Sequence, residues 1–243
     1  MTQGYYSRDA AVTAIRSFYQ FFATLPSLAP EYIWEPPSGG WPEVNGTTLS
    51  RLSRNRDVVD LLRHIPYIND TQIAFHTTVI DYTADVKWSF DRSGAQGNVL
   101  PCGAGVLPEH VAVLTDGGKY GSWLLLDTQE GTITDFKSME TPESIFPPPG
   151  HPEHWRAYRT LPIRDFFESW KEKYRSLAWV VMPDEDDGVL CNQEPSSNEI
   201  REIYRAHGWP SFFRREDCKE ALLKWRYKKL CAESGTRRRH QKH

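Results

Sequence analysis

Residues 110–136, HVAVLTDGGKYGSWLLLDTQEGTITDF, constrain the fold more than any other stretch of the chain. Their pattern predicts three short strands joined by two glycine-containing turns, Asp116-Gly117-Gly118 and residues 127–131. Glycine tolerates the positive φ that a tight hairpin turn requires. The segment from Trp123 to Leu126 is apolar on both faces, which is typical of a strand that is covered on both sides. We therefore expect a sheet of hairpin-connected strands here.

The residues before this stretch predict two helices and two strands. Ser7 is a candidate N-cap for a first amphipathic helix, and a second helix is predicted from about Arg56 to Ile65, where Pro66 stops it. Residues 73–82 and 86–90 are rich in β-branched and aromatic side chains, a composition that favours strands.

After the central stretch, the chain predicts helices separated by loops. A long helix is expected from Pro162 to about Val181, because aromatic and apolar residues recur there at helical spacing. A short helix is predicted from Ile200 to His207, with Gly208 as its stop, followed by a last helix and a polar tail.

The predicted order is two helices, then consecutive strands, then further helices. It lacks the strand–helix alternation of a doubly wound fold. We predict an α+β fold with an antiparallel or mixed central sheet, helices packed on it and a C-terminal helical extension. The expected organisation is a single domain over residues 1–233, with a sheet core at about 73–136 and C-terminal helices at about 162–232. Residues 234–243 are expected to form a basic, disordered tail.

Composition indicates a soluble protein of the cytosol or the nucleus. The longest apolar runs are far shorter than the roughly 20 residues of a membrane-spanning helix, so no membrane span is expected. The 4 cysteines are widely spaced and form no C-x-x-C pair, and the first helix carries charges that a signal peptide would lack. Reduced thiols are therefore expected.

Basic residues concentrate near the C-terminus. Residues 224–243 contain eight basic residues against Glu233, a net charge of +7, and because the whole chain carries -3, residues 1–223 carry -10. One interpretation is binding of nucleic acid or an anionic membrane surface, or nuclear import; the other is a solvated tail behind a packed helix. The basic residues are Lys224, Arg226, Lys228, Lys229, Arg237, Arg238, Arg239 and Lys242.

One family resembles part of the chain. GSWLLLD and TQEGTIT, followed by Trp155, Tyr158 and the helix start Pro162-x-x-x-Phe166-Phe167, resemble the second half of the SUKH superfamily, which includes fungal cell-wall-synthesis regulators and bacterial toxin-immunity proteins. The resemblance covers roughly residues 55–181 and implies a SUKH-like sheet and a non-enzymatic interaction scaffold.

The chain departs from the SUKH pattern in two places. Leu25-Pro26 and Asn45-Gly46 are poor counterparts of the family's signals near its first helices, and the helices after Pro183 have no family equivalent. The segments LLRHIPYI and YRAHGWP resemble segments of fungal proteins, a resemblance that implies no function.

Three residues are candidates for acid–base chemistry. His76, His110 and Asp127 are predicted near one end of the sheet, where ligands often bind. With Trp88 they would line the pocket of a small-molecule enzyme, or of an accessory factor of secondary metabolism. For each of the three, a structural role is the favoured interpretation.

Two short motifs suggest a ligand but lack its pattern. His151-Pro152-Glu153-His154 places its histidines three residues apart around a proline, whereas zinc hydrolases use i, i+4 on a helix. We interpret it as a surface loop and predict no metal and no cofactor. Gly117-Gly118-Lys119 is followed by Tyr120 instead of Ser or Thr, so it predicts a hairpin turn and not a phosphate loop.

The favoured function is therefore binding of a protein partner, because no complete catalytic constellation is present in the sequence. Loops that carry aromatic residues and prolines make good recognition surfaces. A small-molecule enzyme and a nucleic-acid-binding protein remain the alternatives. The candidate binding residues are Trp34 and Trp41 in one loop, Trp88, Tyr120, and His151 and His154 at the end of the Pro-rich loop, residues 141–152.

Overall fold

The computed structural model describes residues 6–68, 71–84, 101, 106–183, 189–191 and 197–240. Side chains of residues 233–240 are outside this description. Trp88 and the strand predicted at residues 86–90 also lie outside the described residues, so both stay predictions.

The described chain contains five α-helices and eleven short strands. The helices are α1 (Arg8–Phe22), α2 (Arg56–His64), α3 (Ile163–Arg175), α4 (Ser197–Ala206) and α5 (Arg215–His240), with 3-10 helices at Pro30–Tyr32, Ser50–Leu52 and His154–Ala157. The strands are β1 (Ile33–Trp34), β2 (Tyr67–Ile68), β3 (Gln72–Ala74), β4 (Thr77–Val79), β5 (Val111–Val113), β6 (Thr115–Asp116), β7 (Trp123–Asp127), β8 (Thr132–Phe136), β9 (Thr160–Pro162), β10 (Trp179–Val181) and β11 (Val189–Cys191).

The strands form a four-stranded sheet in the order β5-β7-β8-β9, a three-stranded sheet β3-β4-β6, and the pairs β1-β2 and β10-β11, all antiparallel. Leu114 links the two larger sheets: its N–H donates to Leu124 O at 2.8 Å, and its carbonyl accepts from Ile80 N at 3.1 Å. The prediction of an α+β fold with antiparallel strands and a C-terminal helix is confirmed.

Strand β7 is the centre of the four-stranded sheet, as the sequence predicted. All five of its residues are buried. It pairs with β5 on one side and with β8 on the other, with Trp123 opposite Phe136 and Asp127 opposite Thr132. A strand with neighbours on both edges and cover on both faces has no position for a solvated side chain, so Asp127 at its end is a buried charge.

Caps and aromatic side chains position the helices around the sheets. Ser7 Oγ accepts from Ala10 N at 3.4 Å, which confirms the predicted cap of α1, and Asn55 Oδ1 accepts from Val58 N at 3.0 Å at the start of α2. Helix α1 packs on α3 through rings such as Phe18 and Phe167, whose centroids lie 5.2 Å apart. The buried apolar side chains form one connected core.

The strand predicted at residues 73–82 is wrong in one respect, because the chain folds back in its middle. Strands β3 and β4 form a hairpin with Phe75 and His76 at its turn, where His76 has φ 48°. The sequence prediction missed this turn because it contains neither glycine nor proline.

The predicted long helix at 162–181 is also corrected. Residues 160–162 form the edge strand β9, and α3 ends at Arg175. Leu177 then adopts φ 57°, and Val181 lies in β10. Strand β10 folds back on α3, and the ring centroids of Trp179 and Trp170 lie 5.2 Å apart. The apolar residues of β10 also fit helical spacing, so the sequence pattern did not separate them from the helix.

The last helix is longer than the sequence predicted. Helix α5 continues to His240, so residues 234–240 have a helical backbone where a disordered tail was predicted. Arginine and glutamate are good helix formers, and no proline interrupts the segment. Among the described residues, no helix has the combined length and apolar character needed to cross a bilayer.

Candidate functional site

Asp127 ends β7 as a completely buried carboxylate. Its Oδ1 accepts the backbone N–H groups of Gln129 at 2.8 Å and Glu130 at 3.0 Å, which closes the β7–β8 turn. Its Oδ2 accepts from Arg156 Nη2 at 2.5 Å. A buried charge is stable only when it is paired and hydrogen-bonded, and this carboxylate satisfies both conditions.

Arg156 connects this carboxylate to the 3-10 helix His154–Ala157. Its guanidinium lies 4.5 Å from the ring centroid of Trp155, a completely buried residue, and 3.5 Å from Glu153 Oε1. The side chain of Arg156 is only 26% exposed, so the pair with Asp127 is weakly screened by solvent. The contact therefore fixes the 3-10 helix against the end of β7.

The 3-10 helix and the residue after it hold the Pro-rich loop in place. Ser144 N donates to Ala157 O at 3.0 Å, and Tyr158 Oη donates to Glu140 O at 3.3 Å. His154 Nδ1 lies 2.7 Å from Pro147 O. These contacts tie three separate points of residues 140–147 to one short segment, so this loop has a defined conformation.

The same loop exposes large apolar side chains. Ile145 is 81% exposed and Phe146 is 69% exposed, and Met139 just before the loop is exposed as well. Large apolar residues that are held in solvent on an ordered loop are typical of interaction surfaces.

The three acid–base candidates do not converge. His110 Nε2 lies 3.7 Å from Asp127 Oδ2, and it is buried without a hydrogen-bond partner among the described residues. His76 lies beside Gly121, two residues before β7, whereas Asp127 is at the far end of that strand. The length of β7 alone separates them by roughly 13 Å at about 3.3 Å per residue. The described pocket that contains His76 does not include Asp127, and a pocket that joins the two stays a prediction.

His76 instead lies in a small polar pocket with Tyr120. The pocket has a volume of about 250 Å³ and is lined by the β3–β4 turn and by residues 116–120. Asp116 Oδ1 accepts from Gly118 N at 2.7 Å, and Lys119 Nζ lies 5.2 Å from the Tyr120 ring centroid. The turn lies slightly later than predicted: Asp116 ends strand β6, and residues 118–120 form the turn.

The two tryptophans of the first loop differ in their surroundings. Trp34 lies in β1 opposite Tyr67 and is partly exposed. Trp41 is half-buried, donates from Nε1 to Ile65 O at 3.0 Å and packs on the Tyr67 ring at 6.1 Å. These contacts give Trp41 a packing role, whereas Trp34 keeps a surface that a partner can reach.

His151 and His154 face different partners. His151 Nδ1 accepts from Glu153 N at 3.1 Å, while His154 Nδ1 contacts Pro147 O and its ring packs on Tyr158 at 5.9 Å. Within the described part of the chain, no group of three or more His, Cys, Asp or Glu side chains is placed to hold a metal ion.

The basic C-terminal residues are partly paired within the chain. Lys224 Nζ lies 2.7 Å from Glu220 Oε1, and Lys229 Nζ lies 2.7 Å from Glu199 Oε1. Trp225 Nε1 also donates to Glu199, at 2.6 Å, so Trp225 packs in the final helix as expected. The side chains of Arg237, Arg238 and Arg239 lie outside the described residues.

A second, larger groove lies between α1 and α3. It has a volume of about 580 Å³, and Ala10, Ala14 and Phe167 form its apolar surface, with Arg164 and Glu168 among the polar groups. The pKa of Glu168 is lowered because Lys171 donates to its carboxylate. The small side chains of Ala10 and Ala14 leave room for this groove. The sequence predicted no nucleophile and base at these positions.

Sequence reasoning found Asp127 but missed Arg156, Ile145 and Phe146 as individual residues. A charged residue at the end of an all-apolar strand requires a cation, yet spacing does not indicate which of 29 lysines and arginines supplies it. Ile145 and Phe146 lie between Pro142 and Pro147, and this pattern predicts a loop that exposes apolar side chains.

Comparison of the chain with protein-family models, with curated proteins and with solved structures gives no match. The SUKH relationship therefore stays a prediction, and the function is inferred from the residues and their geometry.

Proposed function

We propose that the chain is a non-enzymatic protein-interaction scaffold of the cytosol or the nucleus, and that its Pro-rich loop binds the partner. The observation that carries this proposal is that one loop is held by hydrogen bonds and also exposes large apolar side chains. Ile145 and Phe146 project into solvent from a segment that is hydrogen-bonded to the 3-10 helix. A loop that is already ordered loses little conformational entropy on binding.

Burial of the two side chains supplies a useful binding free energy. Full burial of one large apolar side chain stabilises a complex by roughly 1.5–3 kcal/mol. Ile145 and Phe146 together then contribute on the order of 3–6 kcal/mol, which is a factor of at least about 100 in Kd. Met139 and Trp34 are further exposed residues that a large partner would cover.

The matching experiment compares affinity capture by three forms of the full chain. The wild type is compared with an Ile145→Asp/Phe146→Asp variant and with Val106→Asp, a matched control at an apolar residue that is 87% exposed outside the loop. We expect specific partners to be retained by the wild type and by Val106→Asp, and lost with the loop variant. All three chains should have the same melting temperature.

Two results would contradict the proposal. The first is an identical set of captured proteins for the wild type and the loop variant. The second is capture of no partner at all, together with turnover of a small molecule by the purified chain.

A further inference from the structure

Helix α5 carries an apolar line on its solvent side. Leu223, Tyr227 and Leu230 are exposed, and Tyr227 is 70% exposed. They occupy positions i, i+4 and i+7 of the helix and therefore lie one above the other along one side. Cys218 and Leu222, which are completely buried, attach the helix to the rest of the chain on another side.

Basic residues flank this apolar line. Helical periodicity places Lys219 along one border and Lys228 along the other, where Lys224 also lies and pairs with Glu220 at 2.7 Å. The excess of +7 over residues 224–243 makes this the strongly basic part of a chain whose remainder carries -10. A partner must therefore offer both negative charge and an apolar surface.

These two requirements distinguish the classes of partner. The same helix of a second copy carries the same positive charge, so pairing of α5 with α5 is repulsive. Nucleic acid supplies negative charge, but its backbone has no apolar groove for leucines at one-turn spacing. An anionic bilayer binds helices through a broad apolar face, whereas this line is one residue wide.

We propose that the outer side of α5 docks into the acidic, apolar groove of a calcium-opened EF-hand sensor protein. Such proteins expose a flexible, methionine-rich groove when they bind Ca²⁺, and their targets are basic amphipathic helices read through i, i+4 and i+7 anchors. Leu223, Tyr227 and Leu230 supply the anchors, and Lys219 and Lys228 on the two borders meet the acidic rim.

Calcium-loaded calmodulin is the probe of this class, used with the full chain in titration calorimetry. We expect binding in Ca²⁺ and none in EGTA. Tyr227→Asp should weaken Kd by about 30-fold or more, because it removes the central anchor. Phe146→Asp in the Pro-rich loop is the matched control and should bind like the wild type, which separates this proposal from the one above.

Four outcomes would overturn the proposal: no binding to calcium-loaded calmodulin, equal binding in EGTA, unchanged binding of Tyr227→Asp, or loss of binding in Phe146→Asp. Poly(U) RNA and phosphatidylserine vesicles serve as competing probes. Tighter binding of the chain to either probe than to calcium-loaded calmodulin would assign α5 to that class of partner instead.

Discussion

Replacement of Asp127 by asparagine separates its two structural roles. Asparagine keeps an oxygen that accepts from Gln129 N and Glu130 N, so the β7–β8 turn is retained. It loses the negative charge that pairs with Arg156 Nη2 at 2.5 Å. A hydrogen bond to a charged group contributes about 1.5–3 kcal/mol, and we expect Asp127→Asn to lower the free energy of unfolding by about that amount.

Two further variants should lower the free energy of unfolding by more than Asp127→Asn does. Asp127→Ala also leaves two backbone N–H groups without their acceptor, and Arg156→Ala leaves a completely buried carboxylate without its cation. Breaking a buried pair from one side costs about 3–5 kcal/mol, and the partial exposure of Arg156 favours the lower end of that range. Denaturant unfolding monitored by tryptophan fluorescence measures all three.

Hydrogen exchange tests whether the pair acts on the Pro-rich loop. In Asp127→Asn the amide of Ser144, which donates to Ala157 O, should exchange faster, whereas amides of α1 should change only by the global loss of stability. Asp116→Asn is the control, because Asp116 also closes a turn through Oδ1, and no described cation pairs with it. Unchanged stability and unchanged Ser144 exchange in Asp127→Asn would refute the reasoning.

Three further predictions concern stability and reactivity. A Cβ at Gly121 would collide with a carbonyl oxygen of the β3–β4 turn, so Gly121→Ala should destabilise the fold by about 2–3 kcal/mol in thermal unfolding, and Gly46→Ala, which meets open space, should not. Burial raises the pKa of Asp135 above its ordinary value of 3.8, so its contribution to stability is present below that value and is lost as pH rises through the folded pKa. Asp135→Asn should therefore flatten the pH dependence of the free energy of unfolding at pH values above 3.8. Burial also raises the pKa of the Cys218 thiol to about 12, so mass spectrometry after alkylation at about pH 8 should find exposed Cys231 modified and Cys218 protected; equal labelling would contradict the packing of α5.

The elements that the sequence predicted well are those with a local signal. Strand β7 is apolar at four successive positions, and α1 begins directly after Ser7, a good N-cap residue. The hairpin at His76 and the end of α3 were missed because tertiary packing decides them. Trp179 packs on Trp170 from a returning strand, and spacing alone cannot distinguish that strand from another helical turn.

The candidate site was predictable only in part. Asp127 stands out in sequence because it is a carboxylate at the end of an apolar strand, but Arg156 lies 29 residues away in a loop that only the fold brings back. The exposure of Ile145 and Phe146 likewise depends on the hydrogen bonds that hold residues 140–147 against the 3-10 helix. Periodicity carries no information about such long-range contacts.

Site-specific photo-crosslinking in cells tests the central proposal most directly. A photoreactive phenylalanine analogue at position 146 lies in the proposed contact surface, and the same analogue at position 106 replaces Val106, an even more exposed apolar residue outside it. The scaffold proposal predicts a discrete cross-linked protein adduct from position 146 that is absent from position 106 and is suppressed by excess wild-type chain. No adduct from position 146, or the same adducts from both positions, would contradict it.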